Sequence, residues 1–479
     1  MAKLDNDAYD VIIIGAGISG LVCGCYLAKA GLRVLIAEQH NKPGGYCTSF
    51  RRGRFTFDAA AHCFGGYRKD GLTRKIFEDL GIDKKLNIIK SNPSDIVTTP
   101  HHRASFWTDL DQTINEFQSL FPEEQQNVKK FFNLLVNPDG NFFIRMRRQT
   151  LKNLLDSFFT NDELKTVLAA PLLGLGGLPP SLMSAFVGVK LYSEFLLDGG
   201  YHPEGGMQTL SNTLAARFRE LGGALLLSSP VKKIRVQDSA IRGVVLESED
   251  FVSSKYIVSN CDARQTFLKL IGQERIEHEF LDKLNNMTPS ISNFILYLGL
   301  DEHFDDLPML GATQCYFSHY DLDKAYQAAQ EGDVERYGGY MFYVSKEMRT
   351  ILAIIPAPFK NKDYWINNKT SFSETFMRHI EKNSIPHLSK HIIFKEAATP
   401  HTLYRYTLNY RGASFGWAGT PSQLAVEGFK KYSSIQGLYF TGHWTTQGLG
   451  ISGVAYVGQD TAKIILRKEK MSYNSQSYE

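Results

Sequence analysis

The order of residues 10–38 constrains this chain more than any other feature. Asp10-Val-Ile-Ile-Ile-Gly15 is a short β-branched run, and its pattern predicts a buried parallel strand. Gly15-Ala16-Gly17-Ile18-Ser19-Gly20 follows, then a helical pattern to Lys29-Ala-Gly31 and a second strand, Arg33-Val-Leu-Ile-Ala-Glu38. Gly15 permits the tight turn out of the strand, Gly17 lets the backbone approach a pyrophosphate, and Gly20 lets the helix pack on the sheet. The helix N-terminus offers unpaired N–H groups and partial positive charge to phosphates, with Ala16 and Ser19 completing the loop. Glu38 ends the second strand 23 residues after Gly15, where a carboxylate accepts hydrogen bonds from an adenosine ribose. Strand, glycines, helix, strand and acid together predict a dinucleotide site. FAD and NAD both use this unit, so it does not choose between them.

The same residues answer a second question. Val11 to Ala28 is 18 residues without a charge, long enough to suggest a signal peptide or a membrane span. Asp5, Asp7 and Asp10 precede it instead of a basic cluster, and the strand and helix explain its apolarity. No other run is long enough to cross a bilayer, and no internal repeat is present. The six cysteines form no Cys-x-x-Cys pair, which argues against a disulfide framework and a zinc site. The expected location is cytoplasmic, with peripheral membrane contact left open. A net charge of +3 over 479 residues gives no basic face for nucleic acid. Aromatic residues reach 12%, which suits either an apolar cavity or an aromatic core.

The next segment separates the cofactors. Lys42-Pro-Gly44-Gly45-Tyr46-Cys-Thr-Ser-Phe is followed by Gly53-Arg-Phe-Thr-Phe57-Asp58-Ala-Ala60-Ala61-His62. This resembles the FAD-dependent amine oxidase and phytoene desaturase superfamily, which carries a Gly-Gly motif after the ribose acid and then a Phe-Asp-x-Gly-x-His-like stretch. More narrowly, it is similar to the phytoene desaturase, carotenoid isomerase and retinol saturase branch. Two residues depart from the pattern: Tyr46 stands where the family often has Arg, and Ala60 where it has Gly. The resemblance extends to Gly199 to Asp262, where it implies that the Val231 backbone meets the adenine. It also covers Gly437 to Val454, where Gly442, Gly453 and Val454 fall in the closing motif. A helix from about Ser452 to Arg467 would aim its positive end at the flavin's pyrimidine edge. Gly448 to Gly453 repeats the GxGxxG spelling, but no second strand and acid follow it, so a complete NADPH site is not expected.

The expected fold is α/β. A discontinuous Rossmann-type FAD-binding domain (1–85, 200–265 and 432–479) carries an inserted α+β substrate domain on an antiparallel sheet (90–199 and 266–431). Residues 90–199 read mainly as helices, and Ser292–Leu298, Gly339–Val344, Thr350–Ile355 and His391–Lys395 as strands. Residues 127–159 mix Phe and Leu with Lys129, Lys130, Arg145, Arg147 and Arg148, which fits a membrane-interface helix or an amphipathic helix packed on its own domain.

No catalytic triad or metal constellation is present, so the hard chemistry belongs to the cofactor. The resemblance implies an FAD oxidoreductase acting on a long, lipophilic polyene by desaturation, saturation or cis-trans isomerisation, with NAD(P)H or a quinone as a transient redox partner. His62 is the candidate catalytic residue, with a purely structural role beside the flavin equally open. His443 reads as a cofactor-side hydrogen bonder. Tyr404, Tyr406 and Tyr410 read either as cavity lining or as a packed aromatic cluster. A flavin amine oxidase, and a flavin-bearing binding or chaperone protein without turnover, are the alternatives. The oligomeric state is not legible.

Overall fold

The computed structural model describes residues 8–138, 141–304, 311–425, 435–445 and 449–476. Tyr9–Ile14 lies inside a seven-stranded sheet, paired in parallel with Val34–Ala37 on one side and Phe251–Ser259 on the other. Ala224–Leu226 extends the sheet beyond Val34–Ala37, and Leu438–Phe440 joins Phe251–Ser259, both in parallel. Val231–Gln237 and Ala240–Leu246 form the expected hairpin, whose second strand pairs antiparallel with Phe251–Ser259. Val11 to Ile14 are buried, as a strand covered on both faces requires.

The uncharged stretch is therefore a central strand followed by a buried helix. Ile18–Lys29 is buried from Ile18 to Ala28 because the sheet lies against one side and the long closing helix, Gly450–Gln476, against another. Glycine makes that closeness possible: a Cβ on Gly20 would stand 2.3 Å from the Gly15 carbonyl oxygen, and one on Gly458 2.5 Å from that of Ser19. Among the described residues, no helix is long and apolar enough to cross a membrane.

A second seven-stranded sheet runs in the order Ile392–Ala398, Ser292–Leu300, Thr350–Ala357, Gly339–Ser345, Thr313–Phe317, Asp95–Thr98, Arg103–Phe106. All four strands expected between residues 292 and 395 are present in it, each slightly longer than its apolar run. The sheet is not wholly antiparallel, because Thr313–Phe317 and Asp95–Thr98 pair in parallel. Those two strands come from segments far apart in sequence, which removes the tight-turn constraint that makes neighbours antiparallel. Asp95–Thr98 and Arg103–Phe106 also interrupt a region whose pattern otherwise gives helices. Helices between residues 110 and 191 bury Phe117, Phe131, Phe132, Leu164 and Leu168 in the core they share with this sheet.

Candidate cofactor and substrate site

One cavity of about 1000 Å³ runs from the carboxyl ends of the first sheet's parallel strands to the face of the second sheet. That is the upper end of the ~300–1,000 Å³ usual for a single small ligand. Gly15, Gly17, Ser19, Glu38, Gly44, Gly45, His62, Val231, Gly442, Gly453 and Val454 all line it, although they come from five separate stretches of chain. Ala16 and Gly20, also expected at the cofactor, are not among the lining residues; Ala16 instead bonds through its backbone to Glu38 and Gly44.

The loop is built from backbone bonds. Gly17 caps the opening helix, and no side chain satisfies the first-turn N–H groups there. Glu38 is buried, and its two carboxylate oxygens accept from the Ala16 N–H at 2.7 Å and the His40 N–H at 2.9 Å. Each oxygen retains a lone pair for a further donor. The Gly44 N–H donates to the Ala16 carbonyl at 2.9 Å, clamping the Gly-Gly segment onto the fingerprint loop. Gly44 and Gly45 both have positive φ, +131° and +60°, which an L side chain rarely adopts. The Ser19 hydroxyl pairs with that of Thr441 at 2.6 Å, tying the loop to the carboxyl-terminal segment.

Sequence reasoning did not single out Asn260. Its side-chain amide donates to the Gly15 carbonyl, and it lines the cavity between the fingerprint loop and Gly442. The only signal was its position just after a buried strand.

The closing segment turns at Gly442 (φ +89°), and Leu449 to Val454 line the cavity, so the first turn of the closing helix faces it. The Ser452 hydroxyl donates to the Gly65 carbonyl at 2.7 Å. Gly448 lies outside the described residues, so the second GxGxxG spelling is only partly placed. No strand follows the helix among those described.

His62 and His443 both line the cavity, and burial lowers each to a pKa of about 4, so both rings are neutral at neutral pH. The His62 Nε2 lies 3.3 Å from the Thr313 hydroxyl, and its ring stands 5.1 Å from that of Tyr343. Tyr46, in the place of the family's Arg, is tucked against the wall. Its hydroxyl donates to the Ala413 carbonyl at 3.0 Å, and its ring lies 6.1 Å from His443. Ala60 also lines the cavity. Of the three tyrosines near residue 406, Tyr406 borders the cavity, whereas Tyr410 lies under the Arg264 guanidinium at 4.2 Å. Tyr404 packs edge-on against Phe359.

The wall also carries an apolar set, Leu175, Val187, Leu191, Ile295, Met341, Ile354 and Phe415, interrupted by Asn293, Ser414 and Glu194. The basic segment beside it sends Val128, Phe131, Phe132 and Leu135 into the protein's own core, leaving Ile144 68% exposed. No group of His, Cys, Asp and Glu suited to a metal ion occurs among the described residues.

A dinucleotide suits this wall: uncapped helix N–H groups for a diphosphate, a buried carboxylate with free lone pairs for a ribose, and positive-φ glycines keeping the approach clear. The sequence matches the flavin-containing amine oxidoreductase family over residues 18–351. The chain belongs to that family. This member is an FAD-dependent oxidoreductase. It is 27% identical to prolycopene isomerase of Daucus carota over 94% of this chain and 78% of that protein. It is 24% identical to all-trans-retinol 13,14-reductase of Rattus norvegicus over 90% and 82%. With all-trans-zeta-carotene desaturase of Myxococcus xanthus the identity is 27% over 94% and 92%. The fold is similar to an oxidoreductase from Methanosarcina mazei (TM-score 0.67, 16% identity, 95% of this chain and 100% of that one). Putrescine oxidase bound to putrescine shares it too (TM-score 0.66, 15% identity, 96% and 99%).

Proposed function

We propose that this flavoprotein acts on a long apolar polyene, carotenoid- or retinoid-like, held in the apolar half of the cavity. The observation that carries the reading is continuity: the apolar wall opens directly onto the groove fitted for the dinucleotide, past two neutral histidines. The isomerase, reductase and desaturase similarities support the same substrate class. They leave open which of the three reactions is run, because one scaffold hosts all of them.

The residues divide the work. Gly15, Gly17 and Ser19 would hold the diphosphate with the opening helix, Glu38 the ribose, and the Val231 backbone the adenine. Gly44, Gly45, Gly442, Gly453 and Val454 would border the flavin end, with Ala16 and Gly20 shaping the loop. FAD, when bound, supplies a hydride acceptor or donor at its ring. The apolar side chains exclude water and align the chain of double bonds, which is where most of the orientation advantage arises. His62, kept neutral by burial, holds an unprotonated nitrogen beside the cavity and can take a proton from a carbon acid. An ammonium substrate would need a free anionic partner in this half. Glu194 is the acid there: its Oε1 accepts from Arg68 at 3.4 Å, while its buried Oε2 has no hydrogen-bond partner, so amines belong in the test.

The test is product analysis after incubating the holoenzyme with a panel of carotenes, retinoids and primary amines. A desaturated, saturated or isomerised polyene is expected. Peroxide and aldehyde from the amines, with every polyene unchanged, would replace this reading with amine oxidation.

A further inference from the structure

The Ala185–Leu191 helix puts Phe186 and Lys190, one turn apart, on the cavity wall. Lys190 both lines the cavity and is exposed, so it stands where the cavity meets solvent. That ammonium lies 5.1 Å from the centre of the Phe143 ring. Phe143 meets Phe186 edge-on at 5.9 Å, and the Arg147 guanidinium lies 5.3 Å from the Phe186 ring. Two cations and two rings therefore interlock around the part of the cavity wall that Phe186 and Lys190 form. Among the described residues, no carboxylate lies within ion-pair distance of either cation, and Glu194, one turn beyond Lys190, is drawn to Arg68.

Resting on the polyene reading above, we infer that the substrate is amphiphilic, with a carboxylate at one end that Lys190 and Arg147 receive at the mouth while the polyene lies inside. A pure hydrocarbon gains nothing from two cations at the opening. A carboxylate gains charge-assisted hydrogen bonds there, from three donors on Lys190 and a planar fork on Arg147. The rings hold both cations close to the opening before the ligand arrives, which lowers the ordering cost of capture. Phe143 and Phe186 meanwhile offer apolar surface to the first carbons of the tail.

The test titrates the FAD-loaded protein with all-trans-retinoic acid and its methyl ester in vesicle-free buffer, reading the change in flavin fluorescence. The acid is expected to bind about tenfold more tightly than the ester. Lys190→Met should bring the acid to the ester's value, and Lys190→Arg should keep the advantage. Equal binding of acid and ester to the wild type, or an advantage that survives Lys190→Met, overturns the inference while leaving the polyene reading in place. Failure of both to bind overturns both. Attachment to phosphatidylserine vesicles that depends on Lys190, without an acid preference, would assign the cations to a membrane and overturn the inference as well.

Discussion

The Asn260 amide donates to the Gly15 carbonyl at 3.2 Å, and the same nitrogen would stand 2.9 Å from a Cβ on Gly17. Its oxygen would meet a Cβ on Gly442 at 2.4 Å. One side chain from the middle of the sequence thus sets the spacing between the amino-terminal and carboxyl-terminal parts of the cofactor groove. Gly17→Ala should weaken FAD binding because the new methyl pushes Asn260 from Gly15. Asn260→Ala should relieve that clash, so the double variant binds FAD better than the two single losses predict, by about 1 kcal/mol. Fluorescence titration of the apoproteins measures the coupling; strict additivity would mean the two residues do not touch in solution.

Gly17→Val is more severe. Its branched side chain meets Asn260 and occupies the diphosphate's approach, an overpacking cost of about 1–3 kcal/mol, or up to ~100-fold in affinity. The purified variant should be pale, with little FAD released on heating. A fully yellow preparation would remove Gly17 from the phosphate loop.

His62→Ala should leave the FAD site filled, because the ring bonds to Thr313 and not to the phosphate loop. Flavin reduction by substrate, followed in a stopped-flow instrument, should slow about 10²-fold, the lower end of general-base contributions. An unchanged rate would confine His62 to holding its turn.

Stability should depend on pH through two buried groups of opposite sign. His62 has a folded pKa near 4, below its ordinary 6.5, because burial disfavours the charged ring. Its contribution is complete above pH 6.5 and is lost as pH falls toward 4, so His62→Gln should gain stability relative to the wild type across that window. Asp95 runs the other way: burial raises its carboxyl to about 7, and its Oδ1 has no hydrogen-bond partner. Its contribution is present at acid pH and lost as pH rises through 7. Asp95→Asn should therefore raise the melting temperature at pH 8 and change it little at pH 4. Calorimetry at both values tests the pair, and equal shifts at the two pH values would contradict the burial of these charges.

Residues 10–38 were readable because Gly15, Gly17 and Gly20 serve the backbone there, and backbone requirements leave a mark in sequence. Glu38 was readable for the same reason, standing where a strand ends. Asn260 was not, since its importance comes from proximity to Gly15 and Gly442, and an isolated amide after a strand carries no period or spacing. The parallel pairing of Thr313–Phe317 with Asp95–Thr98 was hidden likewise, because apolar alternation reports a strand's faces but not its neighbour's direction. Phe143, Arg147, Phe186 and Lys190 looked like parts of separate helices, and only the fold brings them together at the cavity mouth. The aromatic face of Gln125–Val136 shows the converse: a composition open to a membrane reading turned out to pack into the core.

Anaerobic mixing of the FAD-loaded protein with candidate polyenes, one at a time, tests most directly whether flavin and polyene share one cavity. The account predicts that at least one polyene perturbs or bleaches the flavin's visible band within the dead time or over seconds, and that primary amines leave it untouched. Bleaching by amines with no polyene effect would contradict it.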